Sequence, residues 1–179
     1  KNGYDFVKKI RIDKNLGYGN GIFTGLKHSS CNVLAYMHAD LQIRSKEVLK
    51  AYTIYKNSGE NCVIKGKRKG KRSFLERTFT FFLGLIIQLV CGIKLYDSNA
   101  QPKLFSKNLL RLVSTPPNDF TFDLYILSLA KNNGFKIIEF DTDLTKRTKG
   151  RSKGGSGSSL ISRLPIIKAY LKYILSLRK

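Results

Sequence analysis

Residues 33–37, Val-Leu-Ala-Tyr-Met, form an unbroken apolar run that stops at His38, Asp40 and Gln42 in "AYMHADLQIR". No other stretch constrains the fold as much. A short continuous apolar run suits a strand covered on both faces, as in a parallel sheet, better than a strand with one wet face. Ligands of such sheets sit at the carboxyl ends of the strands. The run therefore predicts a strand over Asn32–Met37 that delivers His38, Asp40 and Gln42 to a ligand-binding edge.

The rest of the chain alternates. Val7–Ile12 reads as a short strand. "NLGYGNGIFTGL" loosens into a loop at Gly17, Gly19 and Gly21, then turns helical over Ile22–Lys27. Ser45 is placed to cap a helix running to Asn57, with Gly59 just past its end. Asn61–Lys65 predicts a strand. A long apolar helix follows from Phe74 to Gly92, then an irregular or extended Asp97–Phe105. Lys107–Val113 and Phe122–Asn132 read as helices, with Gly134 stopping the second, and Lys136–Phe140 as a strand. Strands alternating with helices indicate an α/β domain with a mainly parallel sheet.

The 179 residues suit one domain, and 42% hydrophobic content is enough for a core. The 33 Lys and Arg against 12 Asp and Glu leave a net charge of +21. Such an excess must meet something anionic: nucleic acid, phosphorylated ligands or an acidic membrane surface. Cys31, Cys62 and Cys91 are far apart and odd in number, which fits reduced, partly buried thiols in a cytosolic setting better than a disulfide framework. Phe79–Ile93, the longest apolar stretch, is interrupted by Gln88 and falls short of the ~20 residues a spanning helix needs. Beyond the Gly/Ser-rich stretch, Leu160, Leu164, Ile167, Leu171 and Ile174 recur at helical spacing, with Lys168 and Lys172 on another face. This is a basic amphipathic helix, suited either to packing on its own domain or to a membrane surface.

Asp40 and Gln42 lie two residues apart beyond a strand end, so an extended backbone would put both on one side. A carboxylate and an amide oxygen suit Mg²⁺ or Mn²⁺, which usually arrive with substrate phosphates; a loop Asp capping the next helix is the plainer alternative. His38 suits a metal, a phosphate or a polar pocket. "KGKRKGKR" places Arg68, Lys71 and Arg72 around glycines, and "RTKGRSK" does the same with Arg147, Arg151 and Lys153. Arg grips phosphate as a rigid fork and Lys as a point charge. Two mobile cationic loops would suit a pyrophosphate and a second anionic substrate. Asp97 is either a base or a holder of its loop. Asp123 reads first as an acid favoured at the start of a helix.

Taken in order, "NLGYGNGIFTGL", "MHADLQ", "KGKRKGKR", "DSNAQPKLF", "FDLYILSLAKNNGFKI" and "RTKGRSK" resemble the successive signatures of family-two inverting glycosyltransferases. The resemblance is nearest to the polyprenol-phosphate branch, which includes dolichol-phosphate mannose synthase-like enzymes, and runs from Asn15 to Lys153. It implies a GT-A, Rossmann-like fold over residues 1–153, followed by a linker and amphipathic helix over 154–179. It implies metal-dependent transfer, with inversion, from a UDP- or GDP-linked sugar to a lipid phosphate or cell-envelope glycan precursor. The enzyme would be peripheral at the cytoplasmic face of an anionic membrane, with no nucleic-acid partner. Asp40 would bind Mg²⁺ or Mn²⁺ and the donor pyrophosphate, assisted by Gln42. Asp97 falls at the acceptor-side acid. His38, Arg68, Arg72, Arg147 and Lys153 would contact the donor phosphates.

The family's commoner motif has Asp where this chain has His38. Members also begin with a strand and a "DDGS"-type segment that bind the nucleotide base, whereas this chain starts downstream of them at "KNGYDF", so an N-terminally incomplete domain is expected. The alternative readings are a non-catalytic or truncated remnant and a basic nucleic-acid-binding module.

Overall fold

The computed structural model describes residues 5–40, 42–69, 74–94, 97–143 and 164–176. Its elements are α1 (Tyr18–Lys27), β1 (Val33–Tyr36), α2 (Lys46–Ser58), β2 (Cys62–Lys69), α3 (Phe74–Cys91), β3 (Lys103–Ser106), α4 (Lys107–Arg111), α5 (Phe122–Asn132), β4 (Lys136–Asp143) and α6 (Leu164–Ser176). The four strands form one sheet in the order β1-β3-β2-β4. β2 and β4 pair in parallel, and β3 is antiparallel to both β1 and β2.

β1, β2 and β4 thus point one way, as a mainly parallel sheet requires, but β3 is inserted in reverse and the sheet is mixed. The reason lies in the turn before β3. The Pro102 carbonyl accepts the Gly66 N–H at 2.9 Å, and Arg68 pairs with Asp97. The chain therefore re-enters the sheet at the edge where β2 leaves it and can only run back. A Cβ at Gly66 would sit 2.2 Å from the Gln101 carbonyl oxygen, so this approach needs glycine.

Side-chain alternation builds two cores. Val63 and Phe105 face one side, with Leu26, Ile87, Phe122, Ile126, Tyr170 and Ile174 from the helices. Cys62, Ile64 and Leu104 face the other, where Ala51 and Tyr55 of α2 cover them. The result is three layers, helix, sheet and helix, with β2 and β3 at the centre. Each fully buried Phe, Ile or Leu there contributes roughly 1.5–3 kcal/mol.

β2 extends past the expected Lys65 because β4 pairs with it at every step from Cys62↔Lys136 to Lys69↔Asp143. The first half of the basic run is therefore strand, not a mobile cationic loop. Its cations meet acids: Lys65 reaches Glu139 at 2.7 Å and Lys69 reaches Asp141 at 2.6 Å. Val7–Ile12 is not a strand: Val7, Ile10 and Ile12 are exposed, and the segment joins no strand among the described residues. Cys31 is an exposed thiol rather than a partly buried one, whereas Cys62 is buried.

Candidate active site

Four elements meet at Asp123, the end of β1 and the starts of α1, β3 and α5. Asp123 is in the first turn of α5 and fully buried. The Tyr36 hydroxyl, at the end of β1, donates to its Oδ1 at 2.8 Å. The Tyr18 hydroxyl, at the start of α1, donates to Oδ2 at 2.9 Å. Lys103 Nζ, at the start of β3, donates to Oδ1 at 2.5 Å and to the Ala100 carbonyl at 3.1 Å. A buried carboxylate persists only when paired and hydrogen-bonded in this way. Burial, reinforced by Asp123, pushes both tyrosine hydroxyls up, so they stay protonated donors. Burial lowers the Lys103 ammonium to about 8, against the pull of Asp123. Gln101 Nε2 bonds the Tyr18 hydroxyl from the loop before β3.

The glycines at the start of α1 serve this packing, and the helix begins at Tyr18, so Gly19 and Gly21 are helical rather than in the expected loop. Gly17 has φ +119°, and the Gly19 N–H donates to the Asn118 carbonyl at 2.7 Å. A Cβ on Gly19 would lie 2.2 Å from the Pro117 carbonyl oxygen. The first turn of α1 is closely seated on the turn before α5, which sets Tyr18 over Asp123.

Above this buried network lie the residues expected to act. His38 follows β1, its ring centroid 6.1 Å from that of Tyr18. Burial lowers its pKa, Asp123 and Asp40 oppose the shift, and Arg68 and Lys103 add to it. His38, Asp40, Arg68 and the Lys103–Asp123 pair thus share one electrostatic neighbourhood. Arg68 Nε and Nη2 both reach Asp97 Oδ2, at 2.9 and 2.7 Å. Asp97 Oδ1 accepts the Asn99 N–H at 3.2 Å. Both oxygens of Asp97 are therefore engaged, by a fixed fork on one side and by its own turn on the other.

The backbone does not stay extended through Asp40. Asp40 Oδ1 accepts the Gln42 N–H at 3.1 Å and turns the chain there. The condition that would place the Asp40 and Gln42 side chains on one side is not met. Arg72, Arg147 and Lys153 lie outside the described residues.

α6 joins the site from the far end of the sequence. The buried Tyr170 hydroxyl contacts Ser98 Oγ at 3.2 Å, donates to the Phe120 carbonyl at 3.2 Å and bonds Asn99 Oδ1. It ties the loop carrying Asp97 to the turn before α5. Tyr18, Tyr36, Lys103 and Tyr170 had no sequence signal. Each is an ordinary strand or helix residue whose polar end matters only because of where the fold sends it.

The described residues gather no group of three or more His, Cys, Asp or Glu side chains able to hold a metal. Asp40 offers a hard carboxylate at the strand end, its Oδ1 accepting the Gln42 N–H. A single carboxylate suits Mg²⁺ or Mn²⁺ where phosphate oxygens complete the coordination.

Residues 1–115 match the family described as Glycosyl transferase family 2. Among solved structures, the chain resembles glucosyl-3-phosphoglycerate synthase from Mycobacterium tuberculosis in complex with uridine diphosphate. That match has a TM-score of 0.60 and 17% identity, and covers 88% of this chain and 55% of the other. The same enzyme with Mn²⁺, uridine diphosphate and glucosyl-3-phosphoglycerate matches with a TM-score of 0.57 and 12% identity, over 90% and 53%. With Mg²⁺ and uridine diphosphate the values are 0.57 and 16%, over 88% and 54%. The fold is GT-A-like, and the chain spans about half the length of the structures it matches.

Proposed function

The chain belongs to glycosyl transferase family 2, and from that premise we propose that it carries the donor edge of a nucleotide-sugar-dependent, inverting transferase whose acceptor is itself anionic. The acceptor class that fits is a polyprenyl phosphate or a phosphorylated glycan precursor. The solved structures it resembles hold uridine diphosphate with Mn²⁺ or Mg²⁺, which supports a nucleoside diphosphate donor and a divalent ion here.

The observation that carries this reading is the Arg68–Asp97 fork. A hydroxyl acceptor needs a base aimed at its proton within hydrogen-bond reach. Asp97 is buried, Arg68 takes its Oδ2 twice and the Asn99 N–H takes one lone pair of Oδ1, so the carboxylate is directed at the arginine and its own turn. A phosphate oxygen needs no such base, because it attacks the anomeric carbon already ionised. Asp97 then serves to hold Arg68, which contacts phosphate at the edge of β2.

In this mechanism Asp40, with His38 beside it, would hold the ion and the donor diphosphate. A bound divalent ion would there neutralise charge building on the leaving diphosphate. His38, its pKa lowered by burial, is neutral at pH 7 and offers a lone pair or an N–H without adding charge. The Tyr18–Tyr36–Lys103–Asp123 network contacts none of the reacting groups in this scheme. It fixes the strand ends beneath them, so that the charged groups are preorganised rather than recruited.

Two variants separate the acceptor classes. Asp97→Asn should lower transfer to a polyprenyl phosphate less than about tenfold if Asp97 only orients Arg68, whereas loss of a general base costs roughly 10²–10⁴-fold. Arg68→Ala should raise the acceptor or donor KM more than Asp97→Asn does. Transfer to a hydroxyl acceptor that Asp97→Asn abolishes would overturn the anionic-acceptor reading.

A further inference from the structure

The loop over residues 97–102, before β3, is held at both ends. Arg68 takes Asp97. Further along, Lys103 Nζ donates to the Ala100 carbonyl at 3.1 Å, Gln101 Nε2 bonds the Tyr18 hydroxyl, and the Pro102 carbonyl accepts the Gly66 N–H. Ser98 and Asn99 lie between these anchors, and they are reached from the far end of the chain. Tyr170, in the middle of α6, is 0% exposed. Its hydroxyl lies 3.2 Å from Ser98 Oγ, bonds Asn99 Oδ1 and faces the Phe120 carbonyl at 3.2 Å. A phenol has one proton and can also accept. The Asn99 and Phe120 oxygens share that proton, and the Ser98 hydroxyl can donate to the phenol oxygen. Burial pushes the Tyr170 hydroxyl up, so it stays protonated. A phenylalanine ring would fill the same place in the core; what the tyrosine adds is this tie.

The tie runs on to both sides of the rim. The Asn99 N–H donates to Asp97 Oδ1 at 3.2 Å, and Asp97 Oδ2 takes the Arg68 fork. The Phe120 ring stacks on Tyr18 at 4.9 Å, and Tyr18 neighbours His38. We propose that Tyr170 is a positioning residue for the Arg68–Asp97 fork: through one hydroxyl, α6 holds the loop from which Asp97 aims the arginine. The consequence for ligand binding rests on the reading of Arg68 as a phosphate contact. A guanidinium fixed in advance loses less freedom when an anion arrives, and affinity gains by that amount. α6 is therefore part of the anion site without touching the anion.

The test reads the fork itself and needs no nucleotide. In the isotope-labelled chain, the Arg68 Nε–H resonance is identified by its absence in Arg68→Ala. Tyr170→Phe keeps the core-filling ring and removes the hydroxyl. Asn99→Ala removes the loop's acceptor and leaves α6 whole. Tyr55→Phe alters a buried tyrosine in the core on the other face of the sheet and controls for a general loss of stability. Solvent exchange of the Arg68 Nε–H should speed at least about fivefold in Tyr170→Phe and in Asn99→Ala, the factor that one hydrogen bond supplies. It should not change in Tyr55→Phe. Calorimetry with inorganic pyrophosphate should follow the same order, with affinity about fivefold lower in the first two variants. Pyrophosphate that binds the parent and Arg68→Ala alike, while exchange speeds as expected, would sink the phosphate reading of Arg68 and leave the positioning role standing. Unchanged exchange in both Tyr170→Phe and Asn99→Ala, or an equal increase in Tyr55→Phe, overturns the proposal.

Discussion

Asp123 concentrates what single residues do in this fold. One carboxylate answers two tyrosine hydroxyls and an ammonium drawn from α1, β1 and β3. Lys103 is as deeply buried as its partner. Asp123→Ala would strand that ammonium without compensation and should cost about 3–5 kcal/mol, read as a shift in urea midpoint. A cost under about 1 kcal/mol would mean that the pair is not closed as described. His38 makes a pH prediction. Burial lowers its pKa below the usual 6.5. Between the lowered value and 6.5 the unfolded chain binds a proton that the folded one does not. Stability therefore rises with pH across that window and is lost as pH falls through it. His38→Asn should flatten the dependence of unfolding free energy on pH below 6.5, and an unchanged slope would place the dependence elsewhere.

At the scale of elements, α1 offers a matched pair of glycines. Gly19→Ala must push a methyl into the Pro117 carbonyl and Phe122 Cβ and should destabilise by roughly 1–3 kcal/mol. Gly21→Ala, in the same helix, meets nothing within 4 Å and should stabilise by about 0.5–1 kcal/mol. Thermal melts of the two variants should move in opposite directions. Tyr170→Phe removes the hydroxyl that links α6 to Ser98, Asn99 and Phe120. It should cost about 1 kcal/mol and speed hydrogen exchange of the Asn99 amide.

The elements that were legible carry local signals. β1 was visible as a bounded apolar run, but Ala35 is exposed and among the described residues the strand pairs only with the antiparallel β3, so it is not covered on both faces. α2 was visible through Gly59, which takes a positive φ just past its end, whereas the Ser45 side chain makes no cap hydrogen bond. α5 was visible through its periodicity and Gly134. β3 was not, because its direction depends on the Gly66–Pro102 and Arg68–Asp97 contacts between distant segments. β2 looked shorter than it is because its lysines resemble a solvated run until Glu139 and Asp141 lie beside them. Asp123 was noticed, and its place at a helix start is real. Its partners stand 105, 87 and 20 positions away, beyond any local pattern.

Over the whole molecule, the sheet does two jobs with one edge. Its interior seals a charged, hydrogen-bonded base under β1 and β3. The rim above it presents His38, Asp40 and Arg68, with Asp97 fixing the arginine. The cations of β2 offset acids of β4, so much of that basic run belongs to the sheet. The net charge of +21 already counts those acids, and it is this excess that meets an anionic donor, acceptor or surface. The central claim is that this rim is a metal-assisted site for a nucleoside diphosphate. Titration calorimetry of the chain with UDP and with GDP, with and without Mn²⁺, alongside Asp40→Ala, tests it most directly. The account predicts binding of one of the two nucleotides that needs Mn²⁺ and weakens at least about tenfold, or about 1.4 kcal/mol, in Asp40→Ala. Binding that ignores both the metal and the substitution would contradict it.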